Sequence, residues 1–299
     1  MVDIDSALHH VPPHRGLAIA QDRSWPRQAP SVRFRETPPT RLSHLRTGRT
    51  TSAPATRRAP EGARSPSGAQ QGLHQVTDQT FASLGVSETL LRALSAARFE
   101  TPTPIQAKAV PVVLSGRDVL GIAQTGSGKT AAFALPMLQR LAGVRAQRPS
   151  APAGLILAPT RELAIQIAET ISRLGGGTGL RHCVICGGVS ENRQIEQLRR
   201  GVEIVVATPG RLIDLARQGH LRVDRAQVFV LDEADRMLDM GFIRDVRRIV
   251  AALPQQRQSL MFSATMPTEV ARLADGLLRE PLRIDLAPAT VTVDRIDQR

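Results

Sequence analysis

Six short apolar runs constrain the fold of this 299-residue chain more than any other feature. They are Val119–Ile122, Leu155–Ala158, Cys183–Cys186, Ile204–Ala207, Val228–Leu231 and Leu260–Phe262. Each is apolar from end to end rather than alternating, so a strand built from it must be covered on both faces. Between them lie amphipathic segments with apolar residues at helical spacing, including Glu162–Leu174, Glu191–Arg200 and Ile243–Leu253. Two helices are expected ahead of the first run, Glu88–Ala97 with Leu90, Leu91 and Leu94 on one face, and Ile105–Leu114. A last one, Thr268–Leu278, ends near Pro281. Continuous strands alternating with helices specify an α/β fold: a parallel sheet, helices on both faces, right-handed crossovers.

Open α/β sheets bind ligands beyond the carboxyl ends of their strands, and here those ends carry the chemistry. The first run leads into Ala123-Gln124-Thr125-Gly126-Ser127-Gly128-Lys129-Thr130. This is the phosphate-loop pattern with Ala123 in place of the leading glycine. Gly126 and Gly128 free the backbone to turn N–H groups toward phosphate oxygens; Thr125 and Ser127 lie in the same loop. Lys129 reaches the outer phosphates and Thr130 offers a hydroxyl to Mg²⁺. The positive end of the helix that starts here points at the same anion. The fifth run ends in Asp232-Glu233-Ala234-Asp235, carboxylates delivered to the same edge. The second ends in Pro159-Thr160-Arg161, the third in Gly187-Gly188, the fourth in Thr208-Pro209-Gly210-Arg211 and the sixth in Ser263-Ala264-Thr265.

Composition narrows the partners. The formal net charge is +12, which suits a polyanion without naming it. Lysine occurs only at 108 and 129; retaining one at 129 fits a site that needs a compact ammonium rather than a planar fork. Residues 1–76 hold nine of the 21 prolines and carry 11 Arg against 5 Asp+Glu, with no apolar periodicity. Such a segment is expected to be disordered, either an inert extension or a nonspecific nucleic-acid tether. The two cysteines, Cys183 and Cys186, have zinc-like spacing, but no second Cys or His pair completes a ligand set, so simple packing in a strand is expected. No apolar run is long enough to cross a membrane, no signal peptide is evident, and a cytoplasmic protein is expected.

Taken together in this order, the strand-end motifs resemble those of the DEAD-box family of ATP-dependent RNA helicases. Phe99-Glu100-Thr101-Pro102-Thr103-Pro104-Ile105-Gln106 is similar to the family's adenine-recognition segment, and Phe81 to its isolated upstream aromatic. Arg98 departs from the pattern, which usually has Gly there. The resemblance covers about residues 79–290 and implies a RecA-like domain. Its parts are a recognition segment over 79–107, an ATP-binding helicase domain over 108–290, and the start of a linker to a second domain over 291–299.

The resemblance also implies roles. Gln106 would read the adenine edge and Phe99 would pack on the ring. Lys129 and Thr130 would hold the phosphates and Mg²⁺, Asp232 would hold Mg²⁺ through water, and Glu233 would orient the attacking water. Asp235, Ser263 and Thr265 would link the nucleotide site to the moving domain. Thr160, Arg161, Gly187, Gly188, Thr208, Gly210 and Arg211 match RNA-facing motifs suited to sequence-blind backbone contacts. The expected function is RNA binding and local duplex unwinding driven by ATP. The alternative is a nucleotide- and RNA-binding module without unwinding. No Arg-rich motif follows Ser263-Ala264-Thr265 to supply an arginine finger, so weak turnover is expected of this chain alone.

Overall fold

The computed structural model describes residues 79–144 and 150–286. The expected tail over 1–76 and linker start over 291–299 lie outside the described residues.

All six apolar runs form strands: β1 (Val119–Ile122), β2 (Gly154–Leu157), β3 (His182–Ile185), β4 (Ile204–Ala207), β5 (Val228–Leu231) and β6 (Gln258–Ser263). A seventh, β7 (Leu282–Asp285), escaped the sequence reading. It is the edge strand beside β1, and of its residues only Ile284 is buried. An edge strand buried at one position has no continuous apolar run to betray it. All pairings are parallel, in the order β3-β4-β2-β5-β6-β1-β7.

Nine helices are described: α1 (Glu88–Ala96), α2 (Pro104–Leu114), α3 (Lys129–Leu141), α4 (Arg161–Gly175), α5 (Glu191–Arg199), α6 (Pro209–Arg217), α7 (Ala234–Asp239), α8 (Ile243–Ala252) and α9 (Thr268–Leu277). Alternate strand residues feed two separate cores. Ile156, Val206, Val230 and Phe262 pack with α1–α4 on one face. Leu157, Val205, Leu231 and Met261 pack with α5–α9 on the other. The sheet is thus covered on both sides, as continuous apolar strands require.

The register fixes where the motifs emerge. Leu157 is level with Ala207 and Leu231, Ala207 with Ile185, and Ile122 with Ser263. Every strand-end motif therefore leaves the sheet at the same edge. Because β6 lies between β1 and β5, the phosphate loop, the acidic tetrapeptide and Ser263–Thr265 are neighbours. The ends of β2, β4 and β3 form a second group to one side.

Two local features hold this frame. Gly121 is level with Phe262, and a Cβ there would sit 2.6 Å from the Phe262 ring; only glycine lets β1 and that ring approach. Asp118, just before β1, is buried, and its carboxylate accepts the N–H groups of Ser259 and Arg279, each at 2.8 Å. It ties together three segments far apart in sequence.

Candidate nucleotide site

The loop between β1 and α3 turns on two glycines in the left-handed region, Gly126 (φ 84°) and Gly128 (φ 93°), a conformation glycine adopts at no steric cost. Gly128 caps α3, so Lys129 is its first residue. Lys129 is 6% exposed, and its Nζ has no hydrogen-bond partner among the described residues; the buried Ser127 Oγ has none either. Buried polar groups are ordinarily paired. An ammonium and a hydroxyl left without partners, beside a helix N-terminus, fit a phosphate group that the protein alone does not supply.

Opposite stand the acids. Asp232 is 2% exposed. Burial pushes its carboxyl up to about 6, against the pull of Lys129 and with a further push from Glu233. Its Oδ1 accepts the Glu233 N–H at 3.0 Å. The Asp232 carboxylate and the hydroxyl of Thr130, the second residue of α3, are oxygen donors of the kind a hard cation such as Mg²⁺ takes, and the Lys129 ammonium beside them suits the phosphate that would share the cation. Glu233 sits in the left-handed region (φ 50°, ψ 56°) as the N-cap of α7. A non-glycine residue there is strained, and the Glu233 carboxylate reaches back to the loop. Thr125 Oγ1 donates to Glu233 Oε1 at 3.3 Å, and Arg236 Nη1 lies 3.2 Å from Oε2. Sequence reasoning did not single out Arg236; an i, i+3 pair on a six-residue helix leaves no clear signal.

Asp235, Ser263 and Thr265 form one network, as grouped from the sequence. Asp235 N–H donates to Ser263 Oγ at 3.1 Å, and Ser263 Oγ donates to the Thr265 carbonyl at 2.7 Å. Thr265 returns its N–H and its hydroxyl to Asp235 Oδ2 at 2.8 and 2.9 Å. Burial works to raise the Asp235 carboxyl, but the hydrogen bonds from Thr265, with those of Ser263 and the Arg236 backbone, together hold the group below its ordinary value.

The residues expected around adenine are divided. Gln106 is 1% exposed and faces the phosphate loop: its Oε1 accepts the Thr103 N–H at 2.9 Å and its Nε2 donates to the Gly128 carbonyl at 3.1 Å. One N–H and one lone pair of the amide remain. Phe81 and Phe99 instead line a cavity of about 380 Å³ with Leu91, Leu94 and Arg98, and Gln106 is not in its lining. Arg98 adopts φ 60°. It closes α1 with the two hydrogen bonds of a Schellman turn, Phe99 N–H to the Leu94 carbonyl and Arg98 N–H to the Ser95 carbonyl. Arginine thus stands at the position where this turn favours glycine.

The second group gathers at the ends of β2, β3 and β4. Thr160 caps α4, its Oγ1 accepting the Leu163 N–H at 3.2 Å. Arg161 donates to the Gly188 carbonyl at 3.1 Å and Arg211 to the Val189 carbonyl at 3.4 Å, so both arginines pin the turn after β3. Gly188 (φ 75°) needs its glycine, whereas a Cβ at Gly187 or Gly210 would meet open space. Thr208 caps α6, just ahead of Gly210 and Arg211. Cys183 and Cys186 are free and buried; burial pushes the Cys183 thiol up to about 12, as packing residues require. Among the described residues no His, Cys, Asp or Glu cluster has metal-site character.

Comparison with known proteins agrees with this geometry. Residues 103–273, more than half of the chain, match the family model of the DEAD/DEAH box helicase. The chain is 47% identical over 221 residues to DEAD-box ATP-dependent RNA helicase 24 of Arabidopsis thaliana, covering 74% of this chain and 29% of that protein. It is 44% identical over 220 residues to the DEAD-box ATP-dependent RNA helicase RhpA of Helicobacter pylori, covering 74% and 44%. The crystal structure of a DEAD box protein from the hyperthermophile Methanococcus jannaschii superposes with a TM-score of 0.63 at 39% identity, covering 69% of this chain and 55% of that one. The chain therefore spans less than half the length of these curated relatives. The buried loop lysine, the facing acids and the seven-stranded parallel sheet that sets them together all agree with the match: this chain belongs to the DEAD/DEAH box helicase family.

Proposed function

We propose that the chain binds ATP with Mg²⁺ at the ends of β1, β5 and β6, as the first helicase domain of an ATP-dependent RNA helicase. The observation that carries this reading is the Lys129 ammonium, buried and without a partner at the start of α3. In it, Lys129, Ser127 and the N–H groups of the loop hold phosphate oxygens. Asp232 and Thr130 hold Mg²⁺, which when bound offsets the charge of the phosphates. Glu233, turned toward the loop and steadied by Thr125 and Arg236, orients water and accepts its proton. Phe81 and Phe99 supply the aromatic recess for the base, and Gln106 ties that segment to the loop.

Asp235, Ser263 and Thr265 form a compact network that transmits the state of the site to a second domain. RNA runs over Thr160, Arg161, Gly187, Gly188, Thr208, Gly210 and Arg211, which offer hydroxyls, cations and helix N-termini to phosphates without reading bases. A cytoplasmic setting goes with two reduced, buried cysteines. No helix among the described residues is long and apolar enough to cross a membrane.

The test is a nucleotide titration of the full 299-residue chain against Lys129→Ala, in the presence of Mg²⁺. Saturable binding by the first and at least about tenfold weaker binding by the second supports the site. Equal binding refutes it. RNA affinity is measured separately by salt titration, with a slope that falls on replacing Arg161 or Arg211. Strong RNA-stimulated ATP turnover by this chain alone would refute the need for a second domain.

A further inference from the structure

β3 is an edge strand, and beside it lies a cavity of about 480 Å³ whose lining includes His182, Val184, Val189, Arg193, Gln194 and Gln197. The direction of the free backbone groups follows from the ladder. The Arg181 and Ile185 carbonyls accept from Ile204 and Thr208 on the β4 side. In a parallel pair the intervening residues point the other way, so His182 and Val184 present N–H and C=O groups outward. The next outward carbonyl, Cys186, is taken by Gln194 Nε2 at 3.0 Å. Gln194 is 3% exposed, yet its Oε1 has no partner among the described residues. Gln194 thus occupies the Cys186 carbonyl from within and leaves those of His182 and Val184 as the outward acceptors without a partner among the described residues.

The rim adds chemical character. Val189 is an exposed apolar residue at 38%. Arg193 is exposed and forms no ion pair among the described residues. We propose that this groove docks an extended, acidic peptide of a partner protein, which adds to β3 as an eighth strand. The peptide's N–H groups meet the outward carbonyls of His182 and Val184, an apolar side chain covers Val189, and a carboxylate faces Arg193. Charge argues against self-occupancy by residues 1–76, which carry 11 Arg against 5 Asp+Glu. Alternating donors and acceptors along β3 match a peptide backbone; a sugar–phosphate chain would offer acceptors at every phosphate and leave the outward carbonyls of His182 and Val184 unpaired.

The test uses the full chain, isotopically labelled for amide NMR, and an end-blocked hexapeptide alternating Glu and Val. The expected result is saturable shifts of the His182, Val184 and Gln194 signals. Val184→Pro removes an outward N–H at an edge position that tolerates proline, and it weakens binding at least about tenfold. Arg193→Glu reverses the preference toward a Lys/Val hexapeptide and serves as the deciding variant should the proline variant lose its native spectrum. Absence of binding by the Glu/Val peptide overturns the proposal. So does binding that survives both variants, which would mark unspecific charge attraction. Displacement of the peptide by a uridine oligonucleotide that shifts the same three residues would make the groove part of an RNA surface and equally overturn it.

Discussion

Replacing Asp232 by Asn should make the nucleotide-free protein more stable at neutral pH. Burial raises the Asp232 carboxyl from 3.8 to about 6, whereas in the unfolded chain it titrates near its ordinary value. Between about pH 4 and pH 6 the folded state therefore holds a proton that the unfolded state has lost, and stability falls as pH rises through that window. The full penalty is present above about pH 6. The gap between 3.8 and about 6 corresponds to about 3 kcal/mol at 1.36 kcal/mol per tenfold step. Asn keeps an oxygen for the Glu233 N–H and carries no charge to desolvate.

Urea unfolding of both proteins, without Mg²⁺ or nucleotide, should show Asp232→Asn ahead by about 2–3 kcal/mol at about pH 8 and level with wild type near pH 4. Adding Mg²⁺ and ATP should then raise the midpoint of the wild type only. A variant less stable than wild type at about pH 8, or a difference that does not change between the two pH values, would refute the reasoning.

Other substitutions probe the frame. Asp118→Ala leaves the Ser259 and Arg279 N–H groups without their acceptor and should cost about 2–4 kcal/mol in urea unfolding. Gly121→Ala drives a methyl into the buried Phe262 ring and should cost about 1–3 kcal/mol, with loss of nucleotide binding because the loop begins two residues later. Arg98→Gly relieves a left-handed arginine and should raise thermal stability by about 0.5 kcal/mol, the steric relief being partly offset by a freer unfolded chain.

Some of this architecture was written in local pattern and some was not. Val228–Leu231 reads as a strand because it is buried on both faces, and its carboxylates read as a site because a buried strand must deliver them to an edge. Leu282–Asp285 gave no such pattern, since an edge strand meets the core at one residue. The phosphate loop was legible because its chemistry is carried by residues adjacent in sequence. Asp118, Gln194 and Arg236 were not. Asp118 reaches partners 141 and 161 positions away, and hydrogen bonds of that span have no sequence period. Gln106 was recognised as a site residue, but the direction of its amide depends on where the loop folds relative to α2, which only the tertiary structure supplies.

That amide has a dynamic consequence. Gln106 Oε1 holds the first N–H ahead of α2 while its Nε2 holds the carbonyl of Gly128 at the mouth of α3. Any excursion of the loop that pulls Gly128 away strains the side chain that also secures the start of α2. Amide hydrogen exchange at Thr103 should therefore rise and fall with the motion of the phosphate loop, giving a spectroscopic reporter of loop opening that sits 25 positions upstream of Gly128.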